Sequence, residues 1–183
     1  MNRGYFQKFQ IKDVVFLAIM SAVALATCAV MPLVISLQPL IFGISQLVTA
    51  LQIGVFFAIG LYKVRKPGSL LIMALMMGLI QLMMSPPMFL SSVLNGILIE
   101  LIVLLLFRGY EKDAAVFCAA MLHTPLSLPF NYLYNRLVKG ADSPLAAVAD
   151  RAPLAAVGMT LAVVAVSALG ALIGIKIAKE LKK

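Results

Sequence analysis

Charged positions are so rare in this chain that they punctuate it. From residue 14 to residue 62 none interrupts the apolar pattern. As one helix that run would measure about 73 Å, more than twice a hydrocarbon core of roughly 30 Å. Two crossings are therefore predicted, broken at Ser36-Leu37-Gln38-Pro39, because proline removes a donor and turns the preceding residue away from helix. Residues 67–107 hold one charge, Glu100, and divide again at Ser85-Pro86-Pro87. Residues 114–135 and 152–175 contain no Asp, Glu, Lys or Arg, and each predicts one more crossing. The expected fold is an all-α integral membrane protein, one domain over residues 1–183. Its six-helix bundle would have spans at about 14–35, 41–62, 68–85, 88–107, 114–137 and 153–176.

Composition agrees: 63% of residues are hydrophobic, 12% are charged and the mean hydropathy is +1.06, against about 25% charged for a soluble domain. Short loops retain Lys and Arg on the cytoplasmic side. With the N-terminus inside, 12 of the 15 basic residues are inner and only Arg136, Lys139 and Arg151 are outer. Both termini are thus expected in the cytoplasm of a bacterial or archaeal cell, with the chain in the plasma membrane. The net charge of +8 is then topology, facing anionic headgroups, and no nucleic-acid partner is expected. Leu25-Ala26-Thr27-Cys28 resembles a lipoprotein cleavage site, but the apolar run continues past it and the first span reads as uncleaved. Cys28 and Cys118 fall at different depths, too far apart for a disulfide.

Several local signals suggest packing or a site. Ala18, Ala22 and Ala26 form a small-residue stripe, and Gly170-Ala-Leu-Ile-Gly174 is a stronger small-xxx-small pattern; both predict close helix contact, within the chain or with a partner. Asp142-Ser143-Pro144 reads as a capped helix start, giving a short outer helix able to cover a site. Pro144-Leu-Ala-Ala-Val148 recurs at Pro153-Leu-Ala-Ala-Val157, too short a period for a solenoid. Pro125 and Pro129 predict a bent fifth span, its freed carbonyls met by Ser127 or Thr124 or lining a cavity.

Glu100 is the chemical anomaly, about 12 Å inside the boundary by helical rise. No Lys or Arg shares its depth, and only His123 is available to pair with it. Asn95, Gln81, Gln46 and Asn131 crowd the outer half, suggesting a pocket entered from outside with Glu100 near its floor. Ser92, Gly96 and Glu100 share one helix face, a narrow one suited to a solute held against backbone. Candidate solute ligands are Glu100, Asn95, Asn131, Tyr134, Gln81 and His123. Glu100 could instead be a hydrogen-bonded core residue, or carry protons with His123. Enzyme chemistry is not expected: one histidine makes no two-His zinc motif, and no phosphate loop or nucleophile elbow is present. No cofactor or metal is expected.

Six short spans, about 180 residues and Ala18-x-x-x-Ala22 in the first helix resemble the substrate-binding S components of energy-coupling factor transporters. Arg65-Lys66-Pro67-Gly68 and Glu100 are similar to members handling thiamine or its hydroxymethylpyrimidine precursor. The chain departs from them in having no Trp and few outer aromatics beyond Phe89, Phe130, Tyr132 and Tyr134. The resemblance implies high-affinity uptake of a vitamin-like solute. Ala18, Ala22 and Ala26 would then dock a transmembrane coupling subunit that joins two cytoplasmic ATPases. Two other readings stand beside it: a self-sufficient proton-coupled transporter using Glu100 and His123, and a structural membrane subunit.

Overall fold

A computed structural model describes residues 8–28, 30, 33–34, 36–83, 85–140 and 143–182. Within them lie seven helices and no strand: α1 (Ile11–Thr27), α2 (Ile44–Val64), α3 (Ser69–Leu82), α4 (Pro86–Phe107), α5 (Asp113–Val138), α6 (Pro144–Arg151) and α7 (Pro153–Glu180). By length and composition α2, α4 and α7 are long and apolar enough to cross a membrane, while α3 is a shorter apolar helix of 14 residues. Proline sets three of the starts, standing at the first turn of α4, α6 and α7, where its missing N–H costs nothing. The repeated Pro-Leu-Ala-Ala-Val is thus two successive helix starts. α1 ends at Thr27, short of the expected 35, and residues 36–43 form turns up to Gly43, whose φ of 75° is left-handed.

α2 is the hub, packing against α1, α3, α5 and α7. Its contact with α7 explains the glycines. A Cβ on Gly170 would reach the Leu51 carbonyl, one on Gly174 the Val55 carbonyl, and one on Gly54 would lie 2.9 Å from the Ser167 carbonyl. Only glycine lets these backbones approach so closely, so the small-xxx-small pattern serves packing within the chain. The alanine stripe does not: Leu17, Ser21 and Ala24 are the buried face of α1, while Ala22 and Ala26 are exposed and Ala18 half-buried.

α5 runs unbroken through Pro125 and Pro129. Pro125 cannot donate to the Met121 carbonyl one turn back, and that oxygen instead accepts from the Ser167 hydroxyl of α7 at 2.8 Å. The donor therefore comes from a neighbouring helix, whereas Ser127 donates to the Thr124 carbonyl. Cys28 and Cys118 are both free thiols.

One end of the bundle collects the charges and is called the basic end here. Asp113, opening α5, is bonded by Arg65 from the α2–α3 loop at 2.5 Å and by Lys179 of α7 at 2.7 Å. Asp13 of α1 pairs with Lys66 at 2.6 Å and accepts from the Gln10 amide at 3.0 Å, closing the first turn. These partners hold both carboxyls below the usual range. For Asp13 the Lys66 bond is the main cause, and for Asp113 the Lys179 bond followed by Arg65. Arg65 ends α2 in a left-handed conformation, φ 48°, uncommon for a residue with a Cβ. Its guanidinium is anchored at the Glu111 carbonyl, over the Tyr62 ring and at Asp113.

Candidate functional site

At the opposite end, α2, α3, α4 and α5 enclose a cavity of about 390 Å³, within the usual range for small-molecule sites. The α5 wall is built by helical spacing: Thr124, Ser127, Asn131 and Asn135 fall three or four residues apart on one face and all line it, with Tyr134 beside them. α2 contributes Gln46, Thr49 and Ile53, α3 contributes Met77 and Gln81, and α4 contributes Ser91 and Asn95. Gln38 and Pro39 come from the turn before α2, and Pro144 and Leu145 of α6 also border the space. The short outer helix expected over the site is therefore present, begun by Ser143, whose hydroxyl accepts from Ala146 N at 3.3 Å. Asp142, also assigned to that start, lies outside the described residues. α6 is tied to α5 by Asp150, which accepts from Tyr132 at 2.7 Å and pairs with Arg136 at 2.8 Å.

The deep end of the cavity is chemically distinctive. Asn95, His123 and Thr124 are 1%, 4% and 3% exposed. Among the described residues neither amide atom of Asn95, neither ring nitrogen of His123 and not the Thr124 hydroxyl has a hydrogen-bond partner. Buried polar groups are normally satisfied, and leaving one unmade costs about 1–3 kcal/mol. Together these three side chains give the end of the cavity donors and acceptors that no other described side chain engages. His123 packs on Phe57 with ring centroids 4.5 Å apart, which fixes its plane.

Below this floor the bundle closes. One helical turn toward the basic end, Ile53 gives way to Phe57, Met77 to Met73, Asn95 to Ile99 and His123 to Ala119, and all four successors are fully buried. They belong to one apolar cluster, and none of the four has a polar side chain to carry a solute onward.

Glu100 lies beyond that layer, which corrects its expected place at the pocket floor. Its Oε1 accepts from the Gly68 amide at 2.6 Å and its Oε2 from the Tyr110 hydroxyl at 3.0 Å, with the amides of Leu70 and Leu71 also directed at it. The carboxylate thus caps the N-terminus of α3, where free N–H groups and the helix dipole favour negative charge. His123 is not among its partners. Counting residues along a span missed that the α2–α3 loop and Tyr110 fold in to meet it.

The face shared by Ser92, Gly96 and Glu100 also differs from expectation. Ser92 borders the cavity but donates to the Ala74 carbonyl at 2.9 Å, and a Cβ on Gly96 would lie 2.6 Å from the Ala74 Cβ. That face is spent on α3, and Asn95 beside it faces the cavity.

Of the candidate ligands, then, Asn95, His123, Gln81, Asn131 and Tyr134 are brought together around one space and Glu100 is not. Sequence reasoning passed over Thr124 and Ser127, which the same spacing from Asn131 would have found. It also passed over Gln38 and Thr49, whose inward placement depends on the turn before α2. Lys139 is the single charged lining residue among those described, its Nζ 5.9 Å from the centre of the Tyr134 ring.

No curated protein and no solved structure matches the chain. Residues 11–183 match the family described as "hypothetical bacterial integral membrane protein (Trep_Strep)". With an all-helical bundle and apolar helices of membrane-crossing length, this chain belongs to that family of bacterial integral membrane proteins.

Proposed function

We infer that this protein is a membrane-embedded binding subunit for a vitamin or vitamin-precursor solute, energised by a separate ATPase module in the manner of the S components it resembles. It crosses the bacterial plasma membrane six times with both termini cytoplasmic. The basic end then faces inward, as retained Lys and Arg require, and the cavity faces outward. α3, about 21 Å long, is the shortest crossing, its mismatch taken up by local thinning of the bilayer.

The observation that carries the reading is the cavity whose floor presents three unpartnered polar side chains above a closed apolar layer. Such a site captures a solute without offering it a path, so delivery requires the subunit to move as a body against a coupling subunit. The outward-facing alanines of α1 support this: Ala22 and Ala26 leave a shallow surface, beside half-buried Ala18, on which a partner helix can seat. A self-sufficient proton carrier built on Glu100 and His123 finds less support, since Glu100 is bonded into the α3 N-terminus and His123 has no polar partner.

The test is to extract the detergent-purified protein and identify co-purifying small molecules by mass spectrometry, with thermal shift against a vitamin panel. A stoichiometric solute is expected. An empty protein indifferent to the panel overturns solute capture. Ala22→Trp is expected to abolish association with the coupling subunit and ATPases while solute affinity stays intact; retained assembly would remove the coupling arm.

A further inference from the structure

We propose that the solute carries an uncharged heterocyclic head with a donor and an acceptor side by side, the edge of a lactam, ureide or aminopyrimidine, and that this head seats on Asn95, His123 and Thr124. The proposal rests on the reading of the cavity as a solute site and deepens it. A side-chain amide with both ends unpartnered complements a donor–acceptor edge in a two-bond pair. The imidazole adds one donor and one acceptor, and the hydroxyl either. Nothing among these three groups supplies a formal charge to match a charged head, and a buried charge without a partner is strongly disfavoured.

Six of the seven acids fall among the described residues, Asp142 lying outside them, and these six bear this out one by one. Asp13 and Asp113 are paired at the basic end, Glu111 neighbours Asp113 there, Glu180 ends α7 and Glu100 caps α3 beyond the apolar layer. Asp150 is engaged on α6 with Arg136. None of these six lines the cavity, and the one charge on its described lining is the cation of exposed Lys139. A permanently cationic solute such as thiamine therefore meets neither a carboxylate at the floor nor a favourable charge from that lysine. The orientation follows: the neutral edge enters first.

The experiment is equilibrium binding by the purified full-length protein in nanodiscs to probes paired by charge. Hydroxymethyl-aminopyrimidine and nicotinamide are the neutral members, and thiamine and the N-methylnicotinamide cation their charged counterparts; uracil and pterin extend the neutral set. At least one neutral probe is expected to bind, its charged counterpart at least tenfold more weakly where one exists. Asn95→Leu should weaken that binding about tenfold or more, as expected where a polar edge loses its partner. Glu100→Gln should leave it within about twofold. Asn95→Asp, which places a carboxylate on the floor, should shift preference toward the cation, a gain that misfolding cannot imitate. A cationic probe that outcompetes its neutral counterpart in the wild type overturns the proposal, as does unchanged affinity in Asn95→Leu and His123→Leu. Silence across the panel overturns the assigned class. In that event the mass-spectrometric search for a co-purified solute separately decides whether capture itself survives.

Discussion

Asn95 and Glu100 stand five residues apart on α4, yet Asn95 has no hydrogen-bond partner while Glu100 is held by the Gly68 amide and the Tyr110 hydroxyl. The same contrast separates the acids of the basic end from the cavity floor, although the Ser69 hydroxyl at the start of α3 is also buried and unpartnered. At the basic end the acids Asp13, Asp113 and Glu100 are each bonded to a different element, so the loops are stitched to the helices. At the cavity end Asn95, His123 and Thr124 are buried and unmatched. Groups whose partners lie within the chain act on stability; groups whose partner must come from outside act on recognition. The lesson is that polarity at membrane depth is no evidence of a solute site until its partners are counted.

The harshest way to break this division is at the boundary between the ends. Gly96→Leu would drive a side chain into Ala74 and separate α3 from α4. Overpacking of this kind costs about 1–3 kcal/mol or more, so a large drop in thermal midpoint is expected, together with loss of both the Glu100 cap and the cavity floor.

Next come the two α4 residues taken separately. Glu100→Gln keeps shape but replaces one of the two accepting oxygens with an amide N–H2 that meets the Gly68 amide or the Tyr110 hydroxyl, and should destabilise by about 1–2 kcal/mol with solute affinity unchanged. A loss of affinity at constant stability would merge the two ends. Asn95→Leu should do the reverse. Removing an unsatisfied buried amide leaves the empty protein equally or more stable, by up to about 1 kcal/mol, while binding falls.

The smallest effect concerns pH. Asp13 and Asp113 have lowered folded pKa values, so the folded state binds their protons more weakly than the unfolded one. Their stabilisation is complete above an unfolded value near 4 and fades as pH falls through the lowered folded values. The Asp113 side chain is 41% exposed, so its pairs contribute only a fraction of a kcal/mol, and Asp13, 16% exposed beside Lys66, carries the larger share of the slope. Thermal unfolding between about pH 5 and 2 should show this slope in the wild type and lose part of it in Asp13→Asn and Asp113→Asn. Salt should flatten it too.

The helix starts and turns were legible because they depend on local chemistry: Ser85-Pro86-Pro87 and Ser143-Pro144 act on their own backbones wherever the rest of the chain lies. The polar wall of α5 was legible for the same reason, since Asn131, Tyr134 and Asn135 share one helix. Glu100 was not, because its partners are 32 and 10 residues away and one of them is a backbone amide with no side-chain signature. The alanines of α1 and the glycines of α7 illustrate the same limit. Both patterns announce close contact, but only the three-dimensional arrangement shows that Gly170 and Gly174 have met α2 while Ala22 and Ala26 face outward.

The apolar layer of Phe57, Met73, Ile99 and Ala119 has an electrical consequence. Asn95 and Glu100 differ by about 8 Å along the helix axis, and buried apolar side chains continue past Glu100 through Leu61, Leu70, Val103 and Val116, so a low-dielectric septum of several turns separates the polar, open cavity from the ion-paired end. A membrane potential applied across this protein would therefore fall mainly over that septum and little of it over the open cavity. At about 2.3 kcal/mol per elementary charge per 100 mV, a charged molecule resting on the septum would still have most of that voltage ahead of it. A neutral one stands outside the field altogether, and its capture is independent of how strongly the cell is polarised.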